Sequence, residues 1–96
     1  MFLHVTKVTY LEEYKLKIEF NDGAIKVVDL KDELCGEMFK PLKDIELFKQ
    51  VKINSDTNTI EWPNGADFAP EYLYKIGKLV RKPRKSLLQQ KVSRGV

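Results

Sequence analysis

Residues 61–73 read Glu-Trp-Pro-Asn-Gly-Ala-Asp-Phe-Ala-Pro-Glu-Tyr-Leu. This stretch holds the single Trp of the chain and two of its four Pro. Asn64-Gly65 favours a tight turn, because both residue types tolerate positive φ angles. Pro70 suits the first position of a helix, whereas Ala69, which precedes it, is biased towards extended geometry. We therefore expect a strand that ends at a sharp corner and leads into a helix.

Two interpretations of this corner follow from its residue types. In the first it is structural: Asn64-Gly65 makes the turn, and Asp67 accepts backbone N–H bonds near the start of the helix. Trp62 and Phe68 would then hold the corner against the core. In the second interpretation the corner is a contact surface for a partner protein. Its candidate residues are Trp62, Asn64, Asp67, Glu71 and Tyr72. The two interpretations are compatible.

A strand pattern precedes the corner. Residues 3–10 are rich in β-branched and aromatic types, which favour a strand. Residues 14–20 alternate between apolar and charged types, which is typical of a strand with one buried face. The turn that follows contains Asp22-Gly23, and Asp-Gly is a strong hairpin signal because both positions accept positive φ.

The register of this hairpin depends on the length of its loop. A two-residue loop would place Phe20 opposite Ile25 and Ile18 opposite Val27. A three-residue loop would instead set Ile18 against Lys26. Because a slip of one residue turns an apolar set outward, we predict the two-residue loop.

The middle of the chain predicts short elements. Gly36 and Pro41 interrupt any long helix within residues 31–50. Asp44 is suited to cap a short helix that runs through Gln50.

The remaining elements surround the corner. Residues 51–53 and 59–62 predict a second short hairpin. The last helix is predicted from Pro70 to near Lys82, where Pro83 stops it. One face of that helix would carry Tyr72, Leu73, Ile76 and Val80.

These elements predict an α+β fold. A small antiparallel β-sheet would combine the N-terminal strand, the hairpin and the second short hairpin, with helices packed on one side and a C-terminal helix. We expect one domain over residues 1–80, because 96 residues suffice for a single core. Residues 81–96 would form a basic C-terminal tail, in which Ser86 could cap a short helix through Lys91.

Charge divides the chain unevenly. The net charge is +3, but all 14 acidic residues lie within residues 1–74. With nine basic residues, that part carries −5, whereas residues 75–96 hold eight basic residues and no acid. The chain is a mildly acidic body with a strongly basic C-terminal segment.

Composition bears on the class of protein and its location. Hydrophobic content of 43% and charged content of 32% fit a globular protein. No apolar run approaches the roughly 20 residues that span a bilayer, and residues 1–5 lack the pattern of a signal peptide. Cys35 is the single cysteine, which excludes an intramolecular disulfide. We expect a cytoplasmic protein without a membrane segment.

The basic segment has two interpretations. Arg81, Lys82, Arg84 and Lys85 are candidates for contacts with nucleic-acid phosphates through charge alone. No aromatic residue follows Tyr74, so base stacking is not indicated. Alternatively, the segment is solvated, or it docks on the acidic body of the same chain or of a second copy.

Catalysis is not indicated by the residues. His4 is the single histidine, and nothing in the sequence orients it towards Cys35. No phosphate-binding glycine loop, nucleophile elbow or paired-histidine metal motif is present. A lone Cys such as Cys35 is usually a small buried apolar residue. We therefore expect no enzyme, no metal and no cofactor.

Several motifs in order resemble a bacterial family of small proteins known as the domain of unknown function numbered 2442. The likeness covers about residues 3–78. It rests on Leu16 to Phe20 with Asp22-Gly23, Val27-Val28-Asp29-Leu30, Leu42 to Phe48, and Trp62 to Leu73.

The resemblance implies a regulatory role. Genes of this family often neighbour another small gene in arrangements that look like toxin–antitoxin pairs, and some longer relatives add a helix-turn-helix domain. Only 16 residues follow Val80, too few for such a domain. Our hypothesis is a non-enzymatic protein-interaction module, the antitoxin-like or regulatory member of a two-gene pair, whose partner is the product of the adjacent gene. The alternative is a nucleic-acid-binding regulator that acts through the basic C-terminal segment.

Overall fold

Two antiparallel sheets organise the chain in the computed structural model, which describes residues 2–83. The strands are β1 (Val5–Glu12), β2 (Lys15–Phe20), β3 (Ile25–Asp29), β4 (Lys52–Asn54), β5 (Thr59–Glu61) and β6 (Lys78–Arg81). A four-stranded sheet has the order β1-β2-β3-β6, and β4 and β5 form a separate two-stranded sheet. The α-helices are α1 (Ile45–Phe48) and α2 (Pro70–Ile76), with 3-10 turns at Lys31–Glu33 and Lys40–Lys43. The architecture is consistent with the predicted α+β class.

The hairpin β2–β3 has a three-residue loop, so the predicted two-residue loop is wrong. Phe20 and Ala24 close the loop, because the Phe20 N–H donates to the Ala24 carbonyl at 2.9 Å. Asp22 Oδ1 accepts the Ala24 N–H at 2.9 Å, and Gly23 takes a φ of 92°. Ile18 therefore lies opposite Lys26.

The inward position of Lys26 explains the wrong register. Its Nζ donates to the Tyr74 carbonyl and lies 3.8 Å from the centroid of the Tyr74 ring. The aliphatic part of a lysine can cover apolar neighbours while the ammonium finds polar and aromatic partners. Val27, which the two-residue loop would have turned inward, lies opposite Lys17 on the other face.

The C-terminal helix is shorter than predicted, and a strand replaces its second half. α2 ends at Ile76, and Gly77 is extended, with φ −74° and ψ 151°. Residues 78–81 then pair with β3 as β6, because backbone groups at the edge of β3 need hydrogen-bond partners. Val80, predicted to share a helix face with Leu73 and Ile76, lies in β6 and is 60% exposed. Arg81 belongs to the sheet, one residue beyond the predicted domain boundary.

Other local predictions are confirmed. Asp44 Oδ1 accepts the Glu46 N–H at 3.0 Å and so caps α1, although this helix ends at Phe48, before Gln50. α2 begins at Pro70 as predicted. The second hairpin forms as β4–β5. The packing of the helices on one side stays a prediction, as does the short helix from Ser86, which lies outside the described residues.

The core lies between the inner face of the four-stranded sheet and the segments that cross it. Leu16, Ile18 and Val28 point inward from β2 and β3 and are fully buried. Phe48, Trp62 and Leu73 meet them from α1, from the end of β5 and from α2. The small sheet is tied to the large one through the Val5 N–H, which donates to the Asn58 carbonyl at 2.9 Å.

Tyr74 joins α2 to the hairpin loop, and its ionisation is expected to weaken the fold. Its hydroxyl donates to Asp22 Oδ2 at 2.7 Å. Burial, as the larger cause, and this hydrogen bond, as the next, together raise the pKa of Tyr74 from 10.0 to about 12. The raised pKa means that the neutral phenol stabilises the fold fully below pH 10.0 and loses this effect as the pH rises to about 12. We expect the difference in unfolding free energy between the natural chain and Tyr74→Phe, measured by urea titration, to shrink over this window. A difference that stays constant there would contradict the prediction.

Candidate functional site

The corner after β5 is a hydrogen-bonded turn, as the structural interpretation predicts. The Trp62 N–H donates to the Ala66 carbonyl at 2.9 Å, and the Gly65 N–H donates to the Trp62 carbonyl at 2.8 Å. Asn64 Oδ1 accepts the Ala66 N–H at 3.1 Å. Gly65 has a φ of 89°, which L-residues with a side chain rarely adopt.

Asn64 also fastens the turn to a distant segment. Its Nδ2 donates to the Met38 carbonyl at 2.9 Å, across 26 residues of sequence. The Met38 methyl group lies over Gly65, 3.7 Å from the position that a Cβ would occupy. Asn64 is thus exposed at the surface while both ends of its amide are held in place.

Trp62 lies inside the core. Its side chain is 1% exposed, and its indole N–H donates to the Phe48 carbonyl at 2.9 Å. The indole ring is 5.5 Å from the Phe48 ring and 6.0 Å from the Phe68 ring, centroid to centroid. As predicted, Trp62 and Phe68 pin the corner. The Trp62 side chain therefore offers no surface to a partner.

The aromatic contacts continue from Trp62 to the surface. The Phe68 ring lies 4.7 Å from that of Phe39 and stacks on Tyr72 at 5.9 Å, with an interplanar angle of 12°. Phe39 and Phe68 are half-buried, whereas Tyr72 is 37% exposed and Met38 46% exposed. We call Met38, Phe39, Phe68 and Tyr72 the aromatic corner.

A carboxylate orients the outermost ring of the aromatic corner. The Tyr72 hydroxyl donates to Glu33 Oε1 at 2.5 Å. This hydrogen bond is the main reason why the pKa of Tyr72 is raised above its ordinary value of 10.0. The Tyr72 ring is thus held by its stack on Phe68 on one side and by the hydrogen bond to the Glu33 carboxylate on the other.

The rim of the aromatic corner is acidic. Asp67 and Glu71 are exposed and are the sequence neighbours of Phe68 and Tyr72. Both ion pairs within residues 2–83 lie elsewhere, at Lys15–Glu12 and Lys49–Glu46. The predicted capping role of Asp67 is wrong, because α2 has no side-chain cap. Asp67 instead pairs with Glu61 through the backbone, which leaves its carboxylate at the surface.

The structure thus gathers Asn64, Asp67, Glu71 and Tyr72 around the corner and adds residues that the sequence did not indicate. Those additions are Glu33, Met38 and Phe39. They come from the segment between β3 and α1, in which Glu33 belongs to a 3-10 turn. Their contacts with Asn64, Phe68 and Tyr72 are long-range, so the sequence did not associate them with the corner.

The basic candidates lie at the C-terminal end of the described chain. Arg81 and Lys82 are exposed, and Arg81 lies opposite Ile25 at the edge of the sheet. Arg84 and Lys85 lie outside the described residues.

Groups with catalytic chemistry are scattered. The backbone N–H of His4 donates to Asn21 Oδ1 at 2.8 Å. Cys35 is an exposed free thiol, not the buried residue that its type suggested. Among residues 2–83, no three His, Cys, Asp or Glu side chains are placed to share a metal ion. In the same range, no helix has the length and apolar character to cross a bilayer.

Comparison with protein families matches residues 5–78 to the family described as "Protein of unknown function (DUF2442)". This match spans most of the 96 residues. The chain belongs to the DUF2442 family. Comparison with curated proteins and with solved structures gives no match.

The first and last residues of the DUF2442 match can be compared with the strands of the fold. It begins at the first residue of β1 and ends at Lys78, the first residue of β6. The whole aromatic corner therefore lies within the DUF2442 region. Arg81 and Lys82 lie beyond it.

Proposed function

We propose that this chain is a non-enzymatic module that binds a partner protein through the aromatic corner. The observation that carries the proposal is the continuous row of rings from buried Trp62 to exposed Tyr72. Aromatic residues and Met are enriched at the centres of protein interfaces, where they supply most of the binding energy. The turn itself is held by backbone and Asn64 hydrogen bonds and does not need a row of rings that reaches the surface.

The aromatic corner is organised before any partner arrives. Tyr72 is held by its stack on Phe68 and by Glu33, and the Met38 backbone is held by Asn64. Groups that are already ordered lose little conformational freedom on binding, so more of the contact energy remains as affinity.

The charge of the rim indicates the chemistry of the partner. Glu33 accepts the Tyr72 hydroxyl, and Asp67 and Glu71 are the exposed sequence neighbours of Phe68 and Tyr72. None of the three carboxylates has an ion-pair partner within the described residues. Complementary charge accelerates encounter and suppresses wrong partners. We infer that the partner presents Lys or Arg side chains beside an apolar group that covers Tyr72 and Met38.

The biological setting follows from the family resemblance. We propose a cytoplasmic bacterial protein that is the regulatory or antitoxin-like member of a two-gene pair. It would act by covering a surface of the protein encoded by the adjacent gene. Membership of the DUF2442 family is compatible with this role and assigns no activity.

Tyr72→Ala is expected to weaken binding to the product of the adjacent gene by about 10- to 100-fold, in the range of interface hot spots. The substitution removes the exposed ring at the centre of the aromatic corner. The measurement is isothermal titration calorimetry of the two purified proteins. Phe2→Ala is the matched control, because Phe2 is a large apolar residue that is 83% exposed.

Three outcomes would contradict the proposal. The two gene products would fail to co-purify, or Phe2→Ala would weaken binding as much as Tyr72→Ala does. Alternatively, the chain would associate with itself through Tyr72, as sedimentation of the natural chain and the variant would reveal.

The alternative of a nucleic-acid-binding regulator is supported by the exposed positions of Arg81 and Lys82. Their contacts with phosphates would make affinity fall steeply with rising salt concentration. Duplex binding that is insensitive to salt, or that survives replacement of both residues with Gln, would contradict this alternative.

A further inference from the structure

The four-stranded sheet has a second face, which points away from the core. Alternation along β2 places Leu16, Ile18 and Phe20 in the core and the residues between them on the opposite side. Pairing across the sheet extends this second face in three rows. The first runs Lys7, Glu19, Ile25, Arg81, the second Thr9, Lys17, Val27, Lys78, and the third, at one end, Glu12, Lys15, Asp29. We call the first two rows the outer sheet face.

The outer sheet face is cationic. Within these two rows Lys7, Lys17, Lys78 and Arg81 accompany a single carboxylate, that of Glu19. The adjoining third row adds Asp29 and Lys15, and Lys15 forms an ion pair with Glu12. None of the four cations takes part in the ion pairs found within residues 2–83. Residues 84–96 add four basic residues and no acid. Neither a second copy of this face nor the C-terminal segment therefore offers the opposite charge.

Two apolar side chains lie in the middle of this face. Ile25 and Val27 are half-buried on β3, between Lys17 of β2 and the cations of β6. Neighbouring strands are about 4.8 Å apart, so β2 and β6 lie roughly 10 Å from each other. That separation is close to the diameter of an α-helix with its side chains, about 10 Å.

We propose that the outer sheet face binds an acidic amphipathic helix of a partner protein, lying along β3. The apolar stripe of the helix would cover Ile25 and Val27. Carboxylates on one flank would reach Lys17, and those on the other flank would reach Lys78 and Arg81. This site goes beyond the proposed function, because it shares no residue with the aromatic corner and selects a partner segment of the opposite charge.

The same geometry disfavours a nucleic acid on this face. The rows contain no aromatic side chain on which a base could stack. A flat sheet face also offers no helix that could enter the major groove of a duplex. Ile25 and Val27 would lie under a charged phosphate backbone, where their burial would desolvate phosphates without compensation.

Titration of the full chain with fluorescent peptides tests this inference. The probe is a synthetic peptide of about 18 residues, long enough to form helix in water. It carries Leu at helical spacing with Glu on both flanks. The comparison probes are a scrambled peptide of the same composition, the same design with Lys in place of Glu, and a short duplex DNA.

We expect the double substitution Lys78→Glu with Arg81→Glu to weaken binding of the acidic peptide with helically spaced Leu by about tenfold or more. The reversed charges would repel the Glu side chains on the flanks of the peptide. Val27→Thr retains the side-chain shape and the preference for a strand but replaces a methyl group with a hydroxyl. This substitution is expected to weaken binding of the same peptide by about threefold. Lys31→Glu with Lys40→Glu is the matched control, because both lysines are exposed and lie outside the sheet. Circular dichroism verifies that each variant is folded.

Several outcomes would overturn the inference. The acidic peptide with helically spaced Leu would fail to bind, or the scrambled peptide would bind equally well. Alternatively, the Lys31 and Lys40 control variant would lose as much affinity as the Lys78 and Arg81 variant. Tighter binding of the duplex, unaffected by Val27→Thr, would assign the face to nucleic acid. Tyr72→Ala is expected to leave peptide binding unchanged, so failure at this face and failure at the aromatic corner are distinguishable.

Discussion

Trp62→Ala is expected to lower the free energy of unfolding by about 3–5 kcal/mol, the usual cost of removing a large buried aromatic side chain. The indole is 1% exposed and contacts the rings of both Phe48 and Phe68. Its removal leaves a cavity between α1 and the corner and abolishes the hydrogen bond to the Phe48 carbonyl. Because small domains have only about 5–15 kcal/mol of stability in total, the variant is expected to be largely unfolded at elevated temperature.

Trp62→Phe separates the two contributions. The smaller ring keeps part of the packing, whereas the Phe48 carbonyl loses the indole N–H and keeps only the longer hydrogen bond from the Val51 N–H, at 3.4 Å. Loss of the indole hydrogen bond is expected to cost about 1 kcal/mol. Urea titration followed by circular dichroism is the measurement, since both variants lack the single Trp whose fluorescence would otherwise report unfolding. A loss below about 1 kcal/mol for Trp62→Ala would be inconsistent with a close-packed core at this position.

Gly77→Ala is expected to cost about 1–3 kcal/mol, because overpacking forces its neighbours to move. A Cβ at Gly77 would lie 2.9 Å from Lys26 Cβ, 3.0 Å from the Leu73 carbonyl oxygen and 3.1 Å from Val28 Cγ2. The cause is crowding and not the dihedral angles, since a φ of −74° suits any residue. This glycine lets the chain pass closely over β3 between α2 and β6.

A double-mutant cycle tests this explanation. Val28→Ala removes one of the three crowded contacts, so Gly77→Ala is expected to cost less in that background than in the natural chain. Gly36→Ala is the comparison, because a Cβ there meets nothing within 4 Å while the φ of 88° is strained for Ala. Additive costs for Gly77 and Val28 would show that crowding against Val28 is not the cause.

Local sequence patterns predicted most of the short elements and failed where a distant contact decided the outcome. Alternation identified β2, and the Asp-Gly pair placed the hairpin turn. The register was wrong because apolar pairing alone favoured Val27 at the position that Lys26 occupies. Only the ring and carbonyl of Tyr74, 48 residues away, make that inward lysine acceptable.

The candidate site could be predicted from the sequence only in part. Asn64, Asp67, Glu71 and Tyr72 became candidates because they are close together in the sequence. Phe39 and Glu33 were not named as candidates, because their contacts with Phe68 and Tyr72 join residues that are 29 and 39 positions apart in the sequence. Trp62 was chosen for its residue type, and burial removes its side chain from any surface.

The sequence by itself determined the family, the hairpin, the cap of α1, the turn at Asn64-Gly65 and the start of α2. Those features depend on backbone preferences and hydrogen bonds within a few residues, which residue types report directly. Only the tertiary structure decided that the chain after Gly77 completes the large sheet as β6 instead of continuing as a helix. The open edge of β3 offers the backbone its hydrogen bonds there, and pairing with that edge places Lys78 and Arg81 beside Ile25 and Val27.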